Sequence, residues 1–235
     1  MKLSLRLSAA ATLVRDGVRV VDVGTDHAYL PVELVRSGKC PSAIACDIGV
    51  GPLENARGHV TEFGLGDRIE LRLCDGLSGI SPDEAEDVAI CGMGGELIAS
   101  ILENAPWTKD AKKHYILQPM TAVDDLRRYL AREGFVVLKE VLVQDAGRLY
   151  TVMSVAWTGE VMSFDDDYWY VGTVTADQPY GTEYLTRQFN RVEKHAQSLL
   201  KSTDPDDLSA REGLLKIADM IRNKLNATFG KEETL

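Results

Sequence analysis

The chain has 235 residues, 45% hydrophobic and 26% charged, a balance that supports a buried core and excludes wholesale disorder. At about 150 residues per domain, this length suits one ordinary domain with a small appendage and not two large ones. The net charge of −10 repels phosphates globally, which excludes nonspecific coating of nucleic acid but leaves room for a local basic site.

Leu3, Leu7, Ala10 and Val14 form one apolar stripe near the start, predicting a helix that Asp16-Gly17 stops. Arg6 and Arg15 interrupt this segment, and nowhere do about 18 apolar residues run without a charge. Neither a signal peptide nor a membrane span is therefore expected, and a cytoplasmic location is. Cys40, Cys46, Cys74 and Cys91 form no CxxC pair, which fits reduced thiols and predicts no metal site.

Five short apolar runs follow: VRVVDV (18–23), SAIACD (42–47), RIELRL (68–73), EDVAIC (86–91) and HYIL (114–117). Helical patterns separate them. One has Pro31 early and Gly38 after it, and another opens at Pro52, turns Leu53, Ala56, Val60 and Phe63 inward, and ends before Gly64. This alternation predicts α/β architecture, with parallel βαβ units and helices on both faces of the sheet. Thr121 to Asp124 resembles a capping box opening a helix through Leu126 and Leu130, with Gly134 closing it. FVVLKEVLV (135–143) and RLYTVMSVAW (148–157), joined by Asp145-Ala146-Gly147, predict a final antiparallel hairpin.

Residues 158–181 read as a loop region whose acidic run, Asp165 to Asp167, is expected to be solvated surface. From Thr182 a heptad-like period appears in Leu185, Phe189, Val192, Ala196 and Leu199. After a turn at 202–205 come Leu214, Ala218, Ile221, Leu225 and Phe229, ending at Gly230. Two antiparallel helices packed as a short coiled hairpin are expected. The predicted organisation is a main domain over 1–160, a linker over 161–181 and a helical hairpin over 182–235.

The first strand runs into VVDVGTDHAYLP, so Asp22, Gly24 and Asp26 flank the turn where open parallel sheets bind ligands. A dinucleotide fingerprint would need GxGxxG there, to let pyrophosphate approach the backbone. One glycine and two carboxylates instead favour a ligand with positive charge, such as the sulfonium and ammonium of S-adenosylmethionine. Asp47, closing the second strand, can accept both ribose hydroxyls of an adenosine, and Asp75, closing the third, can accept from an adenine amino group. Each aspartate alone is equally a turn residue. Gly92, Gly94 and Gly95 after the fourth strand suit close approach of a ligand or a flat base, or simply tight packing. Gln118 and Pro119, ending the fifth strand, are expected to line the same cleft.

LRLSAAATLV (5–14), DVGTDHAYLP (22–31), ICGMGGELI (90–98) and ILQPM (116–120) together resemble the motifs of the TrmK family. The similarity extends through KEVLVQDAGRLYTV and the helical tail. It implies a class I methyltransferase domain, Rossmann-like, with a mostly parallel seven-stranded sheet and an antiparallel last strand, followed by a small two-helix coiled-coil domain. The implied activity is transfer of a methyl group from S-adenosylmethionine to N1 of adenine 22 in tRNA.

The family's donor pocket falls on Asp22, Gly24, Asp47, Asp75, Cys91, Gly92 and Met93, with Asp26 and His27 matching its DH pair. Alanine is common in the family where Cys91 stands, and asparagine where Met120 stands. Asp26, His27 and Tyr29 are the catalytic candidates, Asp26 to stabilise the cation that forms on the base and Tyr29 to stack against it. His27 reads equally as a helix-entry cap and Tyr29 as a packing residue, while Cys91 reads as a small buried residue and not a nucleophile. Gly94, Gln118 and Pro119 are expected near the substrate base. Lys2, Arg6, Arg15, Arg187, Arg191 and Lys194 are the candidate contacts to the tRNA backbone. A monomer with tRNA as its partner is expected. The competing readings are a methyltransferase for a small molecule or protein, and a silent adenosyl-binding module.

Overall fold

The computed structural model describes residues 3–227, which fall into two compact units dividing after Met162. The first unit holds seven strands: β1 (Val20–Val23), β2 (Ala43–Asp47), β3 (Ile69–Leu73), β4 (Asp87–Met93), β5 (His114–Pro119), β6 (Phe135–Asp145) and β7 (Arg148–Trp157). They lie in the order β3-β2-β1-β4-β5-β7-β6. The first five are parallel, whereas β7 pairs antiparallel with both β5 and β6. The last strand in sequence thus sits inside the sheet. From β1 the chain moves outward to β3 and then returns to β4, so the winding reverses between β1 and β4.

Strand side chains alternate between two cores. Val21, Val23, Ile44 and Cys46 face α4 (Gly95–Glu103) and α5 (Val123–Arg132), packing with Ile98, Leu102, Leu126 and Leu130. Val20, Ala43 and Ala45 face α1 (Leu5–Leu13), α2 (Tyr29–Arg36) and α3 (Val50–Glu62), packing with Ala10, Leu30, Leu34, Ala56 and Val60. A strand covered on both faces must be apolar throughout, which is why VVDV and AIAC carry no alternating polar residue beyond Asp22.

Some boundaries differ from those expected. β4 and β5 each run two residues further, through a register shift between Cys91 and Met93. The predicted capping box does not form, because α5 is capped at Ala122 in the left-handed region (φ +50°) with no side-chain cap. The carbonyl of Thr121 is instead drawn to the Gly95 amide at 2.9 Å. The hairpin turn is as predicted, with Ala146 (φ +48°) and Gly147 (φ +74°) both left-handed, as the twist of a two-residue turn demands.

Arg15, expected to contact phosphate, lies instead at the amino edge of the sheet, where its Nε donates to Asp87 Oδ1 at 2.7 Å and its amide to Oδ2 at 2.8 Å. His114 Nδ1 meets the same carboxylate at 3.2 Å, and its Nε2 lies 2.7 Å from Ser154 Oγ. Burial alone would raise the Asp87 carboxyl, but the bonds from His114 and Arg15 outweigh it and leave the group below its ordinary value. A depressed carboxyl stabilises the fold above its unfolded pKa, and that stability is lost as pH falls below about 4. Arg15→Ala should therefore cost about 1–2 kcal/mol in urea unfolding at neutral pH, the half-exposed arginine limiting the figure. The difference from wild type should shrink below about pH 4. Equal stabilities at neutral pH would contradict this role.

The second unit comprises α6 (Tyr168–Val171), α7 (Gly181–Ser198) and α8 (Pro205–Asn226). Leu185, Val192 and Ala196 of α7, and Leu214, Ala218 and Ile221 of α8, are buried, on the predicted stripe. Asp204 opens α8 by accepting the Asp206 amide at 2.9 Å, with Pro205 in the first turn. The segment expected as a linker holds α6, and Tyr168, Val171 and Val174 are buried in it. Asp165 and Asp166 are exposed as expected, but Asp167 is 1% exposed, since Lys224 Nζ reaches it at 2.6 Å and compensates its charge. The expected residues Lys2, Phe229 and Gly230 lie outside the described residues.

Candidate active site

At the carboxyl edge, where the winding reverses, the amides of Gly24 and Thr25 turn back to the Cys46 carbonyl at 2.9 and 3.0 Å. Gly24 (φ +72°), Asp26 (φ +50°) and Ala28 (φ +54°) are all left-handed, a conformation that costs a non-glycine residue about 1–3 kcal/mol. The loop they form borders a cavity of about 290 Å³ lined by Asp22, Gly24, Asp26, Tyr29, Cys91 and Gly92, with Arg6 and Leu7 contributed by α1. Asp22 is 5% exposed and accepts a hydrogen bond from Thr25 Oγ1 at 2.6 Å. Burial raises its carboxyl to about 6, the Thr25 bond opposing and the nearby Asp47 charge adding to the rise.

Asp47 lies beside this loop. Its Oδ1 accepts the Gly49 amide at 2.8 Å, and its Oδ2 stands 3.5 Å from the Asp26 amide. Ile48, Val50 and Leu73 around it are 70%, 63% and 56% exposed, an apolar rim left open to solvent. Asp75 is exposed but faces a separate hollow with Leu77, Leu97 and Ile101. The acidic strand ends share one edge without sharing one cavity, because β3 stands two strands, about 10 Å, from β1.

Gln118 and Pro119, expected in the cleft, are buried within the strand instead. Gln118 Oε1 accepts from Arg6 Nη1 at 2.8 Å and from the Gly92 amide at 3.1 Å, while its Nε2 donates to the Pro119 carbonyl at 2.9 Å. Its bonding is spent on holding the cavity wall. Arg6, expected on phosphate, is part of that wall: it also pairs with Asp145 at 3.1 Å, donates to Met120 Sδ at 3.2 Å and lies 5.1 Å from the Tyr150 ring centroid. Met120 thus supplies an acceptor where the family commonly has asparagine.

The glycine run is explained by packing more than by open space. A Cβ on Gly95 would stand 2.1 Å from the Ala122 carbonyl oxygen, and one on Gly94 would stand 3.2 Å from Thr121 Oγ1. Gly92 (φ +83°) sits at the irregularity in β4, and Met93 sends its Cε over Gly24, 2.2 Å from where a Cβ there would lie. Burial pushes the Cys91 thiol up, as suits a small wall residue and not a nucleophile.

Asp26 projects its carboxylate with 67% of the side chain exposed, 3.5 Å from His27 Nε2. The His27 and Tyr29 rings stack at 5.1 Å between centroids. The sequence patterns did not single out Ser4 and Thr25, which line the cavity, or His59, whose ring lies 4.8 Å from that of Tyr29. Thr25 could have been found, because a hydroxyl three residues beyond Asp22 is placed to bond it. Of the basic residues in the second unit, Arg187 pairs with Glu183 at 2.7 Å, Arg191 lies over the Tyr170 ring at 5.5 Å, and Lys194 is exposed.

Residues 3–153 match a family model described as a methyltransferase domain. The structure superposes on the Bacillus subtilis m1A22 tRNA methyltransferase TrmK with a TM-score of 0.84 at 28% identity, covering 95% of this chain and 99% of that one. In sequence, 153 residues are 39% identical to the tRNA (adenine(22)-N(1))-methyltransferase of Bacillus subtilis, covering 65% of this chain. The chain belongs to the TrmK family of methyltransferases. That aligned stretch spans 64% of the Bacillus relative's length. A further TrmK structure, from M. capricolum with the cofactor product S-adenosyl-homocysteine, matches with a TM-score of 0.81 at 26% identity, covering 95% of this chain and all of that one. The cavity borders β1 and β4, the neighbouring strands between which the winding reverses, a position at which open α/β sheets commonly bind ligands. No helix among the described residues is long and apolar enough to cross a membrane.

Proposed function

We propose that this protein transfers the methyl group of S-adenosylmethionine to N1 of adenine 22 in tRNA, using the cavity at the carboxyl edge of β1 and β4. The observation that carries this reading is a buried carboxylate, Asp22, set beside a left-handed glycine turn in a largely apolar cavity. Such a site suits a cationic ligand and repels a pyrophosphate. The donor's cationic groups fit Asp22, and Arg6, which also lines the cavity, is the cation assigned to its carboxylate. Asp47 is assigned to the ribose hydroxyls, and Asp75, with the apolar hollow beside it, to the adenine.

Bound there, S-adenosylmethionine supplies a methyl group open to in-line displacement by a neutral ring nitrogen. Adenine N1 carries its own lone pair, so no side chain needs to act as a strong base. The chain's contribution is positioning and exclusion of water. The Tyr29 and His27 rings give the base a surface to stack on, and the Asp26 carboxylate stabilises the positive charge that develops on it. The target base has to leave its stacked position in the folded RNA to enter, which requires contacts to the phosphate backbone. Arg187, Arg191 and Lys194 on α7 are assigned that role.

Two outcomes follow. Asp22, raised to about 6, is ionised above that pH and neutral below it, so affinity for the cationic donor should fall about tenfold between pH 7 and pH 5. Calorimetry with Asp22→Asn should show weaker binding with that slope flattened; an unchanged slope would remove Asp22 from the site. Arg191→Ala should weaken tRNA binding and reduce the slope of log affinity against log salt by about one. An unchanged slope in filter binding would take Arg191 out of the interface.

The function itself is tested by incubation with methyl-labelled S-adenosylmethionine and a tRNA transcript, beside a transcript with guanine at position 22. Label in the first and none in the second is expected. Label only in other acceptors would indicate a small-molecule or protein methyltransferase, and donor binding without transfer would indicate a silent module.

A further inference from the structure

The loop that carries Asp26, His27 and Tyr29 holds two non-glycine residues, Asp26 and Ala28, in the left-handed region, so something outside it has to keep it there. Few bonds do so from within. Ala28 N–H bonds the Thr25 carbonyl at 3.0 Å, and the Ala28 carbonyl accepts the first bond of α2, from Val32 N–H, at 3.0 Å. The His27 carbonyl precedes that cap, so the helix ladder does not reach it. Its partner comes from α3: His59 Nδ1 stands 2.9 Å away. A carbonyl can only accept, so Nδ1 carries the hydrogen, which fixes the His59 tautomer when the ring is neutral.

The same ring is a packing surface. The His59 centroid lies 5.6 Å from that of His27 and 4.8 Å from that of Tyr29, so one half-buried side chain holds the backbone of the loop and both of its aromatic rings. Tyr29 lines the cavity on its other side. We infer that His59 is a positioning residue for methyl transfer, acting through the His27 carbonyl and the Tyr29 ring to hold Asp26 and Tyr29 at the target base. This rests on the reading of that loop as the catalytic one. His59 is not among the residues lining the cavity; it borders an open groove behind the loop with His27, Tyr29, Glu54 and Asn55, so its part is assigned to holding the loop.

The bond and the ring can be separated. Asparagine offers an amide nitrogen close to where Nδ1 stands, so His59→Asn keeps a donor to the His27 carbonyl and loses the ring, while His59→Ala loses both. Steady-state kinetics on a tRNA transcript should show kcat about tenfold lower in His59→Ala. The KM for S-adenosylmethionine should stay within about twofold, because an interaction realised only at the transition state lowers kcat without weakening donor binding. His59→Asn should recover most of the loss. Amide hydrogen exchange, which needs no activity, should be faster over residues 24–29 in His59→Ala and near wild type in His59→Asn.

Wild-type kcat in His59→Ala would overturn the inference, as would an asparagine variant as impaired as the alanine one with exchange over 24–29 unchanged in both. If the wild-type protein methylates no tRNA, the functional reading fails by itself, and the exchange experiment still shows whether His59 holds the loop.

Discussion

Asp26→Ala is expected to lower kcat on tRNA about a hundredfold, the usual cost of removing a preorganised group that stabilises charge forming in the transition state. Affinity for tRNA and for the donor should change by less than about threefold, because the interaction that is lost strengthens only as the base becomes cationic. Asp26→Asn is the more discriminating variant. Asparagine tolerates the left-handed conformation that Asp26 adopts at φ +50°, so the loop keeps its course while the charge disappears. A loss in the asparagine variant close to that in the alanine variant would assign the effect to charge. A variant with wild-type kcat and a raised KM would reduce Asp26 to a binding group.

Gly95→Ala is expected to cost about 3 kcal/mol of stability, at the upper end for overpacking, and to lower the melting temperature by about 6–12 °C in a protein of this size. The added methyl would stand 2.1 Å from the Ala122 carbonyl oxygen and 2.9 Å from its carbon. Neither atom is the free end of a flexible side chain. Relief requires the turn after β4 to separate from the turn after β5, which breaks the 2.9 Å bond from the Gly95 amide to the Thr121 carbonyl. Gly24→Ala meets a milder obstacle, since the clashing atom is the mobile tip of Met93 and strain at φ +72° is the main cost. Calorimetric melting of both variants should place Gly95→Ala well below Gly24→Ala; the reverse order would contradict the packing role assigned to Gly95.

The strands and helices of the first unit were legible because each strand's apolar run and each helix's stripe is a local pattern that burial on both sheet faces enforces. The turn at Gly24 was legible for the same reason, since a single glycine between two aspartates at the end of an apolar strand has few other uses. Long-range pairing was not. Arg6 and Arg15 look alike in the sequence as cations on an early helix, yet one closes the cavity through Gln118, 112 residues away, and the other is held by Asp87, 72 residues away. Asp167 looked solvated beside Asp165 and Asp166 because its partner, Lys224, belongs to another helix. His59 carried no signal, since its importance lies in a bond to a backbone carbonyl 32 residues distant. The glycines after β4 suggested open space for a ligand, and only the approach of the Ala122 carbonyl shows that part of that space is filled.

The most direct test is titration of S-adenosylmethionine into the protein alone, in parallel with Asp47→Ala. Saturable heat fitting one site per chain, with affinity at least about tenfold weaker in the variant because the ribose hydroxyls lose their acceptor, is the expected result. No heat with the wild-type protein, or equal affinity in the two, would contradict a donor site at the carboxyl ends of β1 and β2.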